Sequence, residues 1–567
     1  MKILKAASPG ICWERKRFRN RKLQASLPTS TQQTALRKGE RNKGITHRDT
    51  VLYWRCAWPN TKASSVVISD MIGTSIWDFI FIRACIFILH WIAPLSVLWS
   101  LISLFCPPFH VSWILQVWAT LETAFYLLIY HPRKIHLQRA ATHPTPISRE
   151  RRRVLFQRCH QNIPDPERYL VKWFRDAPAS EIKRENVKDF FRWAFLNTGE
   201  PNTMENEELD EYIRKIEELL GRRIEPGRGN ANCFRLTLDK VDMLHRSLTW
   251  YLCVFIVDTV ASGYMRYHSF DFYRTSLLRF PAVFPMRPFT LLTPHRSVAK
   301  TLTYWHRPHT SKTRLPVLFI HGIGIGLYPY IKFLAELNLE DETDASDGEI
   351  GIIAVEIMSV SFRITEEALG KEEMCQEIDC ILKAHNWENF VLVSHSYGSV
   401  ITTHLLHTPQ IAQKIGPMLF IDPVSFLLHL PDVAYNFICR KPIRANEHQL
   451  YYFASKDMGV SHTLFRRFFW SENILWKEDI DNHRVTVVLG GKDLIVDTEV
   501  VKAYLTENES VRPEKGSREE GTGKGRLNVL WFPELDHAQV FDKESTRVRL
   551  VTIVRSYCDR NSTRCLG

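Results

Sequence analysis

The stretch NFVLVSHSYGSVITTHLL, Asn389–Leu406, decides how this chain reads. An apolar, β-branched run favours extended backbone. It leads straight into Ser394-His395-Ser396-Tyr397-Gly398, and a helical pattern begins at once. A serine on so tight a strand-to-helix turn has its oxygen lifted clear of the sheet edge. The start of the helix then offers backbone N–H groups, and the positive end of its dipole, to any negative charge that forms there. The turn is cramped, so its flanking residues must be small, and here they are Ser394 and Gly398.

Working outward, the same texture repeats. Short apolar runs at 315–322, 349–358, 417–423, 483–491 and 527–534 flank the first, and helical stretches such as 372–387 and 498–507 lie between them. Strands alternating with helices predict a mostly parallel sheet with crossover helices. The domain implied covers 301–567, large enough for its own core. An insertion at 424–483 separates two of the strands. It is apolar and aromatic (Val424–Phe437, Thr463–Trp470), reads as an exposed cap, and carries Arg466 and Arg467 where anionic head groups would meet them.

Three further motifs sit at strand ends. VLFIHGIGIG (Val317–Gly326) closes on His321-Gly322-Ile323-Gly324, VTVVLGGKDLIVD (Val485–Asp497) holds Asp493, and VLWFPELDHAQVF (Val529–Phe541) holds His537. With Ser396 they resemble the α/β-hydrolase superfamily: a nucleophile elbow in an S-x-S-x-G form, an HGxG oxyanion loop, and the chain order Ser…Asp…His. The resemblance covers roughly 302–560. Ser394 departs from the family's glycine; His395 and Gly398 complete the elbow.

The resemblance implies an α/β-hydrolase fold with a cap insertion, preceded by an N-terminal transmembrane and helical region. Ser396 would be the nucleophile, His537 the general base and Asp493 the acid that holds it, with Asp422 in FIDP as rival and Asp497 as a third candidate. The N–H groups of Ile323 and Tyr397 would hold the oxyanion, each such donor being worth about 2.7–4 kcal/mol. Neither cofactor nor metal is implied. A serine nucleophile points to ester hydrolysis. A catalytically silent membrane-tethered module and an acyltransferase using the same triad are the alternatives.

Before the hydrolase-like half, composition changes abruptly. Residues 76–105 form an apolar run long enough for a hydrocarbon core of ~30 Å, which takes about 20 residues. A second run, 111–130, is weakened by Gln116 and Glu122, and basic residues (Arg133, Lys134, Arg139, Arg149–Arg153) follow it. Positive flanks predict a hairpin within 71–131, both ends cytosolic. The catalytic domain is then expected on the cytosolic face of a membrane of endoplasmic-reticulum or lipid-droplet type. Residues 132–300 read as amphipathic helices, for instance Glu207–Gly221, and a connector over 262–300. The short apolar stretch 247–261, which contains Asp258, reads as a buried or membrane-skimming helix.

The formal charge of +12 does not point to nucleic acid. Residues 1–70 hold fifteen Lys/Arg against four Asp/Glu, and the remainder holds 59 basic against 58 acidic groups. The basicity belongs to a tail expected to be disordered, so the partners expected are the bilayer and a hydrophobic acyl ester. Twelve scattered cysteines without a CxxC suggest reduced thiols. Oligomeric state is not legible.

Overall fold

A computed structural model describes residues 73–105, 112–202, 205–338, 347–506 and 527–560. The basic segment 1–70 lies outside the described residues.

Eight strands form one sheet: β1 Asp271–Tyr273, β2 Thr303–Arg307, β3 Val317–Ile320, β4 Ile352–Glu356, β5 Phe390–His395, β6 Ile415–Ile421, β7 Val485–Gly490 and β8 Leu527–Phe532. Their order is β1-β2-β4-β3-β5-β6-β7-β8. β2 runs antiparallel to both neighbours, and β3 to β8 run parallel. The six runs read from the sequence are β3 to β8. Every residue of β3, β4, β5 and β7 is buried, as expected for strands covered by helices on both faces. In the register Ile320 lies beside Ser394 and His395 beside Ile421, so the loops after β3, β5 and β6 leave from one edge.

The sheet begins earlier than the sequence suggested. β1 lies inside 262–300, the expected connector, and pairs Asp271 with His306 on β2. A three-residue strand carrying an aspartate has no alternation to betray it, and only its partner makes it a strand.

Helix Asn206–Leu220 ends as predicted, with Gly221 left-handed at φ 64°. With Pro166–Trp173 and Arg184–Leu196 it packs over the insertion. The Trp470 indole donates to the Ala194 carbonyl at 2.8 Å, and Arg168 binds Asp432. The insertion is therefore covered rather than exposed: Phe426, Leu427, Leu428 and Phe437 are all buried. The expectation that Arg466 and Arg467 meet head groups fails for the same reason. Arg466 is buried and donates to the carbonyls of Arg139 and Asp239, while Arg467 pairs with Glu367.

Among the described residues, three helices are long and apolar enough to cross a membrane: Ile76–Phe105, Trp113–His136 and Leu248–Tyr267. The first two lie against each other, with the hydroxyls of Ser100 and Thr123 3.0 Å apart. Glu122, which weakened the second run in the sequence, is fully buried. Its carboxylate accepts from the N–H groups of Leu248 and Thr249 (2.7 Å each) and from the Thr249 hydroxyl (2.6 Å). It therefore caps the third helix, satisfying N–H groups that have no partner within that helix. Asp258, in the middle of the third helix, is bound by Arg287 and Arg363, and Arg287 also forks onto Glu356 at the end of β4 (2.7 and 2.8 Å). A buried charge needs such partners, and losing one costs about 3–5 kcal/mol. The third helix is thus bolted to the sheet.

Candidate active site

The site is built from the edge where β3, β5, β7 and β8 end. Ser396 follows β5 and adopts φ 52°, the left-handed region that a non-glycine residue enters only under constraint. Two glycines make room for it. A Cβ on Gly398 would lie 2.4 Å from the Ile320 carbonyl oxygen, and one on Gly322 would lie 2.7 Å from Ser396 Cβ. Ser394, where the elbow departs from glycine, is buried inside the sheet between Ile320 and Phe420, a position that accepts a side chain.

The loop after β8 brings His537 to this serine. His537 Nε2 lies 2.8 Å from Ser396 Oγ, and Nδ1 lies 2.7 Å from Asp493 Oδ2. The other Asp493 oxygen accepts from the N–H groups of Ile495 and Val496 at 2.7 and 3.0 Å, so the carboxylate cannot swing away. Burial pulls the imidazole pKa down. The Asp493 charge and hydrogen bond, with Asp422 and Asp536 behind them, more than offset this and hold it at about 9. The electrostatics favour an imidazolium at His537.

The rival carboxylates have other tasks. Asp422, at φ 43°, accepts from Gly490 N–H and, at 2.8 Å, from Ala538 N–H, so it supports the backbone beside His537 rather than the ring. Burial raises its pKa, and Asp493 adds to the effect. Asp497 pairs with Arg168 at 3.0 Å, away from the histidine. Asp422, Asp493 and His537 are close enough to share a cation. Their acceptors, however, are already matched to N–H groups and to the serine, a pattern suited to relaying a proton.

The oxyanion-loop residues divide in two. His321 Nε2 accepts from Ile357 N–H at 2.9 Å, so its Nδ1 carries the proton and donates to the Gly322 carbonyl at 2.7 Å. Burial holds its pKa near 4. It is a neutral brace, not a reactant. Gly322 N–H turns to the Tyr330 hydroxyl and Gly324 N–H to the Val360 carbonyl. Among the described residues, the N–H groups of Ile323 and Tyr397 have no acceptor. They are the two expected to face an oxyanion.

Two residues were missed. The Tyr330 hydroxyl lies 2.8 Å from His395 Nδ1 and nothing in its sequence setting marks it. Asp536 Oδ1 accepts from the N–H groups of His537 and Leu494, tying the histidine loop to the Asp493 loop. Its place immediately before His537 was the available signal.

An eight-stranded sheet with its second strand reversed, and a left-handed serine between the fifth strand and the next helix, decide the matter. The fold is that of the α/β-hydrolase superfamily. No protein-family model and no curated protein matches the chain. Solved structures similar to this chain include a membrane phospholipase A described as a bacterial virulence factor (11% identity, TM-score 0.33, covering 55% of this chain and 94% of that one). Another is the carboxylesterase CesB of Bacillus subtilis (8%, 0.32, 53% and 98%). A third is a meta-cleavage product hydrolase of Pseudomonas fluorescens (15%, 0.29, 45% and 94%).

Beside Ser396 lies a small apolar cavity. Its wall combines Ile323 and Tyr397 with Phe437 and Phe468 of the insertion and with Trp173 and Trp193 of the helical region. Residues 132–300 thus help to shape the site as well as connect two parts of the chain.

Proposed function

We propose that the protein is a membrane-anchored serine hydrolase cleaving a carboxylic ester with an apolar acyl group. The observation that carries this reading is the unbroken Ser396–His537–Asp493 hydrogen-bond relay at the mouth of the apolar cavity. His537 Nε2 takes the hydroxyl proton as Ser396 Oγ attacks the acyl carbonyl, and Asp493 steadies the imidazolium. The N–H groups of Ile323 and Tyr397 hold the oxyanion. The C–O bond then breaks, the proton passes to the departing alkoxide, and water, deprotonated by the same histidine, releases the acid.

The cavity supports a neutral acyl chain. Its wall has no Lys or Arg, the residues a phosphate beside the nucleophile would need. Anchorage is supported by the apolar hairpin, both of whose arms return to the hydrolase domain. The Phe79 ring lies 5.6 Å from that of His448, and Arg133 donates to the Thr365 carbonyl. This arrangement suits a domain on the side where the basic flanks lie, the cytosol.

The test is a fluorophosphonate probe on the full chain in detergent. Labelling of the wild type and its loss in Ser396→Ala is the expected result; an unlabelled wild type sinks the reading. Protease added outside sealed microsomes checks topology, since a domain that stays intact is not cytosolic.

A further inference from the structure

The segment between the third apolar helix and β2 has a composition out of keeping with a water-facing connector. Residues 272–300 hold five Lys/Arg and no Asp or Glu. Large aliphatic side chains stand out from it: Leu278 is 91% exposed, Leu292 73% and Leu291 59%, with Leu277 and Met286 each at 47%. Isolated exposed leucines need no explanation, but five within sixteen residues form a patch of the kind that meets another apolar phase.

The segment is fixed in place. Phe284 bonds Ile364 through both its N–H and its carbonyl, each at 2.8 Å. Its ring stacks on Phe125 of the second apolar helix at 5.7 Å and meets Tyr251 of the third at 5.5 Å. The segment is therefore packed against the helices that are apolar enough to enter a bilayer. Arg279 is paired with Glu366, and Arg287 is buried among Asp258 and Glu356, so the aliphatic groups are the most prominent features of this surface.

We infer that residues 276–298 are a second, non-spanning contact with a bilayer surface, inserting their aliphatic side chains among the acyl chains beside the hairpin. Exposed aliphatic groups on a segment without an acidic residue are what such an interface selects. The inference rests on the membrane-anchored reading above and extends it: the domain would be held at the membrane by two contacts, which limits how far it can tilt.

The test uses the full chain in phosphatidylcholine–phosphatidylserine vesicles doped with a phosphatidylcholine carrying a diazirine in its acyl chain. After irradiation, lipid adducts are mapped by mass spectrometry. Adducts on both 76–105 and 276–298 are expected. Leu278→Glu should reduce those on 276–298 while leaving fluorophosphonate labelling of Ser396 in detergent unchanged, which shows that the variant folds. Adducts on 76–105 alone overturn the inference and leave the anchor standing. Cross-links from 276–298 to a second copy of the chain overturn it in favour of a dimer. Adducts on neither segment overturn it together with the anchor.

Discussion

The Asn446 amide of the cap donates to Asp536 Oδ2 at 2.8 Å, while Asp536 Oδ1 receives the backbone N–H of His537 at the same distance. The cap is thereby joined to the base of the relay. Asn446 belongs to the short helix Ala445–Gln449, whose His448 ring meets Phe79 of the first apolar helix. First apolar helix, cap and histidine loop form one continuous path. Asn446→Ala leaves a buried carboxylate without one of its donors, and a hydrogen bond to a charged group is worth about 1.5–3 kcal/mol. We expect kcat on a short soluble ester to fall roughly tenfold or more with KM little changed, as steady-state kinetics would show. An unaltered kcat would separate the cap from the relay.

The pH profile should carry the signature of the buried carboxylates. His537 is raised to about 9. Its neutral form, the one able to accept a proton, therefore accumulates only as pH climbs toward that value, and kcat/KM should rise with pH to an alkaline midpoint. Asp422 contributes negative charge to this environment. Asp422→Asn removes it, weakens the imidazolium, and should move the midpoint downward, each unit corresponding to about 1.4 kcal/mol. A midpoint that stays put or rises would contradict the electrostatic account.

The glycines near the elbow should respond unequally. Gly398→Ala drives a methyl group to 2.4 Å from a carbonyl oxygen, and Gly322→Ala drives one to 2.7 Å from Ser396 Cβ. Both should lose fluorophosphonate labelling and thermal stability, overpacking of this kind costing about 1–3 kcal/mol. A Cβ on Gly324 meets nothing within 4 Å, and Gly324→Ala should remain active. Equal losses in all three would mean that steric room is not what these positions provide.

Cavity volume should set the acyl preference. Val433 lines the space beside Ser396. Val433→Trp fills part of it, so hydrolysis of an acetyl ester should persist while that of a dodecanoyl ester falls at least tenfold. Each displaced methylene in an apolar pocket is worth about 1–3 kcal/mol. A parallel fall for both esters would argue that the chain binds elsewhere.

Much of the central frame was legible because buried parallel strands are written as mainly apolar runs, and β3 to β8 are such runs even where Thr486 and Asn528 interrupt two of them. The relay was legible because Ser396, Asp493 and His537 each stand just past such a run. The reversed strand Thr303–Arg307 was not, since TYWHR shows neither alternation nor an apolar run, although four of its five residues are buried. The cavity wall was hidden for another reason. Trp173 and Trp193 reach the site only through tertiary packing, and on their own helices they look like ordinary core residues. Asp422 reads as a competitor for Asp493 until the coordinates show it holding Ala538 instead.

The carboxylate of Glu122 finds its N–H partners 126 residues further along the chain. At a ribosomal pace of about 5–20 residues per second, that gap lasts roughly 6–25 s. On the membrane-anchored reading, the nascent second helix carries through that interval an acidic group with none of its final donors, and a bilayer interior offers no replacement for them. That reading requires the second hydrophobic segment to be held in a waiting position, near the insertion machinery or at the water boundary, until Leu248 and Thr249 emerge. The anchor is finished by a later part of the polypeptide, so grafting residues 76–136 alone onto another cargo would leave that acid unsatisfied.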